Sequence, residues 1–446
     1  MAMERPLQPC LRRGGAVRQI LLSVAALLLA FGMIYYYNSV LIPLRQRQFQ
    51  VAGTAPGNWS DLYPRWLGAR ELLWHGRSPY SPEVTQEIQR GFYGRPIDRS
   101  NRNDPTDPQA FAYPVYVVFL LAPFLPFSFD SVRIVFTGVM LLLTAGSLLL
   151  WMRALRLRLR PWAALLALVA TMSSYAVVDG LHLEQITLLV AALMAGSMAA
   201  LVAGRLAMAG VLLALATVKP QLGILVVAFL LLWTLGEWRT RKWFAFGFGS
   251  AMAALLIGSE LVLPGWFRFW RQAAQAYIRY QRPSLLGSLL GQPTAMVAAT
   301  VAVFACGTLF WRFRKEPAGS GQFNFALITA LVLTALVLPN AGGAHYNQVL
   351  LIPACLWLVT SGWALAKERG LARLMWMIAV NALAWEWILA LPVSFAALVL
   401  RHSFQREATL SVTGPEFLIF VFPLALALFV LSAAPQLCRP DKSAAS

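Results

Sequence analysis

Apolar residues run along this chain in long blocks, with short basic clusters between them. The first block, Ile20 to Tyr37, is long enough for a helix to cross a hydrocarbon core of roughly 30 Å. It is too long for a signal-peptide core and lacks a small-residue cleavage site, so it reads as a retained helix. Further blocks lie near 131–152, 162–178, 183–203, 206–218, 221–236, 243–263, 294–311, 323–339, 346–363, 374–394 and 415–434. Together they predict an all-α integral membrane protein of about twelve spanning helices, built as a single polytopic domain over residues 1–446.

Residues 39–130 break this pattern and predict a large loop on one side of the membrane. After Asp61, apolar residues recur at Leu62, Trp66, Ala69 and Leu73, with Tyr63, Leu67 and Trp74 beside them, which is one face of a short helix. Arg65, Glu71 and His75 fall elsewhere on the wheel. Pro64 fits only a first turn, and Gly76 with Ser78-Pro79 ends the run. A short helix rich in Trp and Tyr beside a membrane is expected to lie in the interface. It holds Asp61 at headgroup depth, where two readings stand open. Asp61 is an acid that meets a lipid-borne substrate, or Ser60 and Asp61 merely cap the helix.

The later run from Phe111 to Pro126 is apolar but short, opens with Tyr113-Pro114 and closes on Pro123 and Pro126. Charge decides its path. If it crossed, Arg153, Arg156, Arg158 and Arg160 would land outside; if it re-enters or lies in the interface, 131–152 delivers them to the cytoplasm. The second path is the expectation. It also makes the clusters Arg239/Arg241/Lys242, Arg312/Arg314/Lys315 and Lys367/Arg369/Arg373 cytoplasmic, together with both termini.

The chain has 446 residues, 59% of them hydrophobic, and 37 Lys and Arg against 19 Asp and Glu. A formal charge of +18 could suggest nucleic acid, but the basic residues sit between apolar runs, as topology signals do, and no RNA-binding signature is present. No nucleic-acid partner is expected. Cys10, Cys306, Cys355 and Cys438 are scattered, with neither a disulfide framework nor metal spacing.

With that topology the chemically interesting residues collect on the outer side. They are Asp61, the Asp179 to Gln185 link, Lys219-Pro220, the loop with Arg268, Arg271, Arg279 and Arg282, and the turn from Asn340 to Tyr346. A lone lysine at the membrane boundary is costly unless it snorkels or finds a partner, and Lys219 stands in a tight hairpin with no other charge. That favours a functional role. His345 is a site residue or a simple hydrogen-bonding group, and Arg279 and Arg282 snorkel or meet an anion. Asp179 and Glu184 are read first as caps or water-binding groups. Chemistry that suits the set pairs a carboxylate, to accept a proton from a sugar hydroxyl, with cations that stabilise a departing phosphate.

At these residues the chain resembles the polytopic glycosyltransferases of the C-type superfold, and within them glycosyltransferase family 87. The resemblance rests on Asp61 with Leu72-Leu73-x-x-Gly76-x-x-Pro79-Tyr80, then Phe111-x-Tyr113-Pro114 with Leu120-Leu121-Ala122-Pro123. Glu184-Gln185, Lys219-Pro220-Gln221 and His345-Tyr346 before Leu351-Ile352-Pro353 follow in the family's order. It implies a C-type architecture and a polyprenyl-phosphate sugar as donor, with mannose or another hexose transferred to a glycolipid or cell-envelope glycan. Asp61 is the implied catalytic base. Lys219, His345, Gln185, Tyr113, Arg279 and Arg282 form the expected substrate-binding set, with no metal and no cofactor. The expected place is the bacterial cytoplasmic membrane, with the site on its outer face. Val115 stands where the family usually has a second proline, and Glu184 where it commonly has glycine, so donor and acceptor identity are less constrained than reaction class. The rivals are a transporter or flippase of lipid-linked saccharides, expected to show inverted repeats, and a polymerase or ligase using a lipid diphosphate.

Overall fold

A computed structural model describes residues 16–51, 60–98, 100–101, 104–105, 107–278, 284–338, 344–366, 370–399 and 421–437. Among these residues the chain is helical with no strand. Five helices are long and apolar enough to cross a membrane: Val17–Arg47, Phe129–Ala154, Trp238–Val262, Gln292–Phe313 and Gly370–Val399. A sixth crossing arises if Pro161–Ser173 and Tyr175–His182, bent by 51° at Ser174, act as one. Their outer faces carry exposed apolar side chains, among them Leu142, Leu149, Leu261 and Phe304. Apolar groups so exposed find a favourable environment only in lipid.

The helices are α1 (Ala16–Tyr35), α2 (Ile42–Val51), α3 (Tyr63–His75), α4 (Pro82–Tyr93), α5 (Val117–Leu121), α6 (Phe129–Ala154) and α7 (Pro161–Ser173). There follow α8 (Tyr175–His182), α9 (Ile186–Val202), α10 (Leu206–Ala216), α11 (Pro220–Gly236), α12 (Trp238–Val262) and α13 (Trp266–Ile278). The last are α14 (Leu285–Leu290), α15 (Gln292–Phe313), α16 (Gly321–Val337), α17 (Ile352–Thr360), α18 (Gly362–Ala366), α19 (Gly370–Val399) and α20 (Val421–Leu437). Several blocks read in the sequence are extended or divided in the structure. The first helix does not stop near 37: a π-helical turn, Tyr36–Leu41, carries it into α2. The run after Phe111 forms only the five-residue α5 and a 3-10 turn, Ala122–Phe124, because Pro123 and Pro126 deny it a longer ladder. The block expected to span 346–363 is divided into a 3-10 turn, His345–Leu351, then α17 and α18.

The interior is built from α6, α9, α10, α11 and α16, whose packed faces form one contiguous apolar cluster. α9 packs against α6 and α10, and α10 against α12. The α10–α12 contact is made backbone to backbone. A Cβ on Gly210 would lie 2.2 Å from the Phe244 carbonyl oxygen, and one on Gly247 would lie 2.1 Å from that of Ala207. Small residues permit this approach where no hydrophobic force drives helices together. α11 has 17 residues, so its ends stand about 25 Å apart. Lys219 stands at one of them and Trp233 close to the other.

Candidate active site

The site is assembled at the Lys219 end, from segments far apart in sequence. α3 begins as the sequence predicts, with Pro64 in its first turn, and it ends on Gly76 in the left-handed region at φ 64°. Asp61 lies just ahead of it, and its amide donates to the Leu183 carbonyl at 3.0 Å, fastening this corner to the turn between α8 and α9. The cap at the start of α3 has no side-chain bond from Asp61; Ser60 Oγ instead accepts locally from the Leu62 amide at 3.2 Å. The Asp61 carboxylate points elsewhere. Gln185 Nε2 donates to its Oδ2.

Gln185 is joined in turn to Lys219, whose Nζ donates to Oε1 at 3.4 Å. An amide has a donor end and an acceptor end. A carboxylate needs the first and an ammonium the second, so only this orientation serves both neighbours. Lys219 also donates to Thr187 Oγ1 at 2.6 Å and to Asn347 Oδ1 at 3.1 Å, and the Thr187 hydroxyl donates to the same Asn347 oxygen at 2.8 Å. The Tyr346 ring lies 4.9 Å from the ammonium. An ammonium has three N–H donors, and three protein oxygens accept here. Burial pulls the Lys219 ammonium down from its ordinary value.

Desolvation pushes the Asp61 carboxyl up to about 6. Arg65 opposes the rise, Asp107 adds to it, Lys219 opposes it and Asp179 adds to it. The carboxylate is therefore ionised at neutral pH, yet basic enough to take a proton.

Arg65 belongs to this site, although the helical wheel sets it apart from the apolar face of α3. It is 7% exposed, its guanidinium carbon lies 4.6 Å from the Tyr113 ring centroid, and Nη1 donates to the Asp61 carbonyl. α3 is packed on more than one side, which buries Arg65 and Glu71 as well as Trp66 and Leu72. Tyr113 is fixed by the Tyr80 hydroxyl, which donates to its carbonyl at 2.6 Å. Asp107, Tyr277 and Tyr346 also lie close enough to interact electrostatically with Arg65 or Asp61. Of these, the sequence pattern singles out only the His345-Tyr346 pair.

His345 is buried but takes its place in a neighbouring cluster. Its ring lies 5.0 Å from that of Tyr175, edge-on. Tyr175 accepts at its hydroxyl from Arg45 Nη2 at 3.1 Å, and Arg45 Nη1 pairs with Asp179 at 3.2 Å. Tyr37, in the π-helical turn, donates to the same Asp179 oxygen at 2.7 Å. Asp179 is thus an ion-pair partner, as is Glu184, which meets Arg133 Nε at 3.1 Å. Glu184 adopts φ 47°, a left-handed conformation that turns the chain so that Gln185 reaches Asp61. Arg279 and Arg282 lie outside the described residues. Among the described residues no three His, Cys, Asp or Glu side chains gather as a metal site.

Residues 111–339, just over half of the chain, match the model of glycosyltransferase family 87. The matched segment contains Tyr113, Gln185 and Lys219, while Asp61, Arg65 and His345 lie outside it. No curated protein and no solved structure gave a significant match.

Proposed function

Because the chain belongs to glycosyltransferase family 87, we propose that it transfers a sugar, mannose or another hexose, from a polyprenyl-phosphate donor to a hydroxyl of a glycolipid or cell-envelope glycan. The observation that carries this reading is the desolvated Asp61 carboxylate, held by an amide and flanked by Arg65 and Lys219 in a helical membrane protein. A base beside cations suits a reaction that frees a proton at one oxygen and leaves negative charge on another.

In this reading the acceptor hydroxyl attacks the anomeric carbon while Asp61 takes its proton. The bond from that carbon to the phosphate oxygen breaks, and the electron pair departs on the polyprenyl phosphate. One displacement inverts the anomeric centre and needs one base and no covalent intermediate. Gln185 orients the carboxylate. Lys219, whose donors are taken by protein oxygens, contributes its field rather than direct contact with substrate. Tyr113, His345, Arg279 and Arg282 complete the proposed substrate contacts.

The site opens, in this proposal, on the outer face of a bacterial cytoplasmic membrane, within a C-type architecture of about twelve crossings. Purified protein incubated with labelled polyprenyl-phosphate hexoses and a glycolipid acceptor pool tests the reaction. Labelled glycolipid and free polyprenyl phosphate are the expected products. Transfer from a lipid-diphosphate saccharide, with none from any monophosphate donor, would sink the donor assignment.

A further inference from the structure

Arg65 is a buried cation whose donors are mostly unspent. A guanidinium presents five N–H donors and has no acceptor. In this chain Nη1 goes to the Asp61 carbonyl, Nε has no hydrogen-bond partner, and no carboxylate among the described residues pairs with it within 4.0 Å. Beyond the nearby Asp61 carboxylate its company is aromatic: the Tyr113 ring lies against it, with Tyr277 and Tyr346 nearby. The Asp61 carboxylate lends its field but does not hydrogen-bond the guanidinium, and a buried cation whose donors stay unpaired is expensive to keep. The expense is explained if an anion from outside the chain completes the site.

We propose that Arg65 binds the phosphate of the donor lipid, with Nε and the free Nη donors meeting phosphate oxygens while Nη1 keeps the Asp61 carbonyl. This assignment rests on the polyprenyl-phosphate reading above. Three observations favour Arg65 over Lys219 for the contact. Lys219 already donates to Gln185, Thr187 and Asn347. A guanidinium fork matches two oxygens of one phosphate, which an ammonium cannot do with the same geometry. Arg65 also holds the backbone of Asp61, so one side chain ties the leaving group to the base. As the sugar–phosphate bond breaks, charge grows on the phosphate, and the interaction strengthens where catalysis needs it.

The ligand chemistry is a phosphate monoester, and its source is distinguishable. Full-length protein in lipid nanodiscs is titrated with a photoreactive farnesyl phosphate, with inorganic phosphate as competitor. Arg65→Gln is expected to weaken farnesyl-phosphate capture about 10- to 150-fold. Arg65→Lys, which keeps the charge but loses the fork, is expected to fall between the two. Competition by inorganic phosphate assigns recognition to the headgroup alone. Its failure, with the Arg65 dependence intact, assigns it to the lipid-borne form. A monodisperse Arg65→Gln protein that captures the probe as well as the wild type overturns the proposal. If Arg65→Gln does not fold, unchanged capture by Arg65→Lys does the same. Arg65-dependent capture without transfer from any polyprenyl-phosphate hexose would remove the enzymatic reading while leaving the phosphate site in place. Wild-type protein that captures no probe removes both.

Discussion

Two buried arginines, one at each end of α11, show what burial alone does not reveal. Arg241 is 6% exposed and Arg65 7% exposed. Arg241 donates to the carbonyls of Trp233, Arg314, Lys315 and Glu316 at 2.7 to 3.2 Å, pairs with Glu237 at 2.9 Å and stacks on Trp233 at 4.0 Å. It gathers the ends of α11 and α15 around one cation, in the role that a basic group serves at a helix C-terminus. Arg65 has one carbonyl, an aromatic ring and an idle Nε. A saturated cation is a fastening, whereas an unsaturated one waits for a ligand. The separating quantity is the number of donors left over.

If the contrast is sound, the two ends must fail differently. The largest effect is expected at the site end, where Asp61→Asn keeps shape but cannot accept a proton. Its turnover with a polyprenyl-phosphate hexose should fall about 10²- to 10⁴-fold, with the melting temperature unchanged. Near-normal turnover in that variant would return Asp61 to a structural role. Next comes Lys219→Met, which leaves Gln185 without its cationic neighbour. A fall of about 10- to 150-fold in rate is expected, with farnesyl-phosphate capture little changed, because the lysine acts through Gln185 and its field. Loss of capture instead would move the phosphate contact from Arg65 to Lys219.

The pH profile gives a smaller and graded effect. Desolvation raises the Asp61 carboxyl to about 6, and a base works only when ionised. The rate should therefore be level above that value and fall about tenfold per pH unit below it. The groups facing Asp61 are Arg65, Lys219, Asp107 and Asp179, with Tyr277 and Tyr346 close by. A profile flat down to pH 4 would exclude this carboxyl as the base. The smallest effect on catalysis is expected at the other end. Arg241→Gln strands carbonyls and should lower stability by about 1–3 kcal/mol, while turnover per folded molecule stays at the wild-type level. A specific loss of turnover there would break the contrast between the two arginines.

Much of α3 is legible in the sequence, because its signals are local. Periodic apolar positions, Pro64 and Gly76 bound a helix within one window, and the helix formed is Tyr63–His75. The proline-rich ends of the run after Phe111 argue against a crossing, and the helix formed there has five residues. Arg65 is misplaced by a helical wheel, which assumes one buried face, whereas α3 is covered on several. Thr187 and Asn347 escape for another reason. They meet each other across 160 positions of sequence, and no local pattern announces such a pair. Asn347 lies two residues beyond His345, so the motif points to the turn that carries it without naming that side chain. The continuation of α1 through the π-helical turn is hidden because hydropathy falls after Leu41 while the backbone ladder does not.

The glycine contact between α10 and α12 fixes a mechanical tolerance. Where side chains separate two helices, a rotamer change can absorb a small error in spacing. Gly210 and Gly247 leave no such cushion, and a single added carbon would stand about 1 Å too close to a facing carbonyl. A displacement of α10 would reach the Lys219 corner, because that helix ends three residues before the lysine. Two buried positions without side chains thereby act as the gauge block against which the spacing of the site is set.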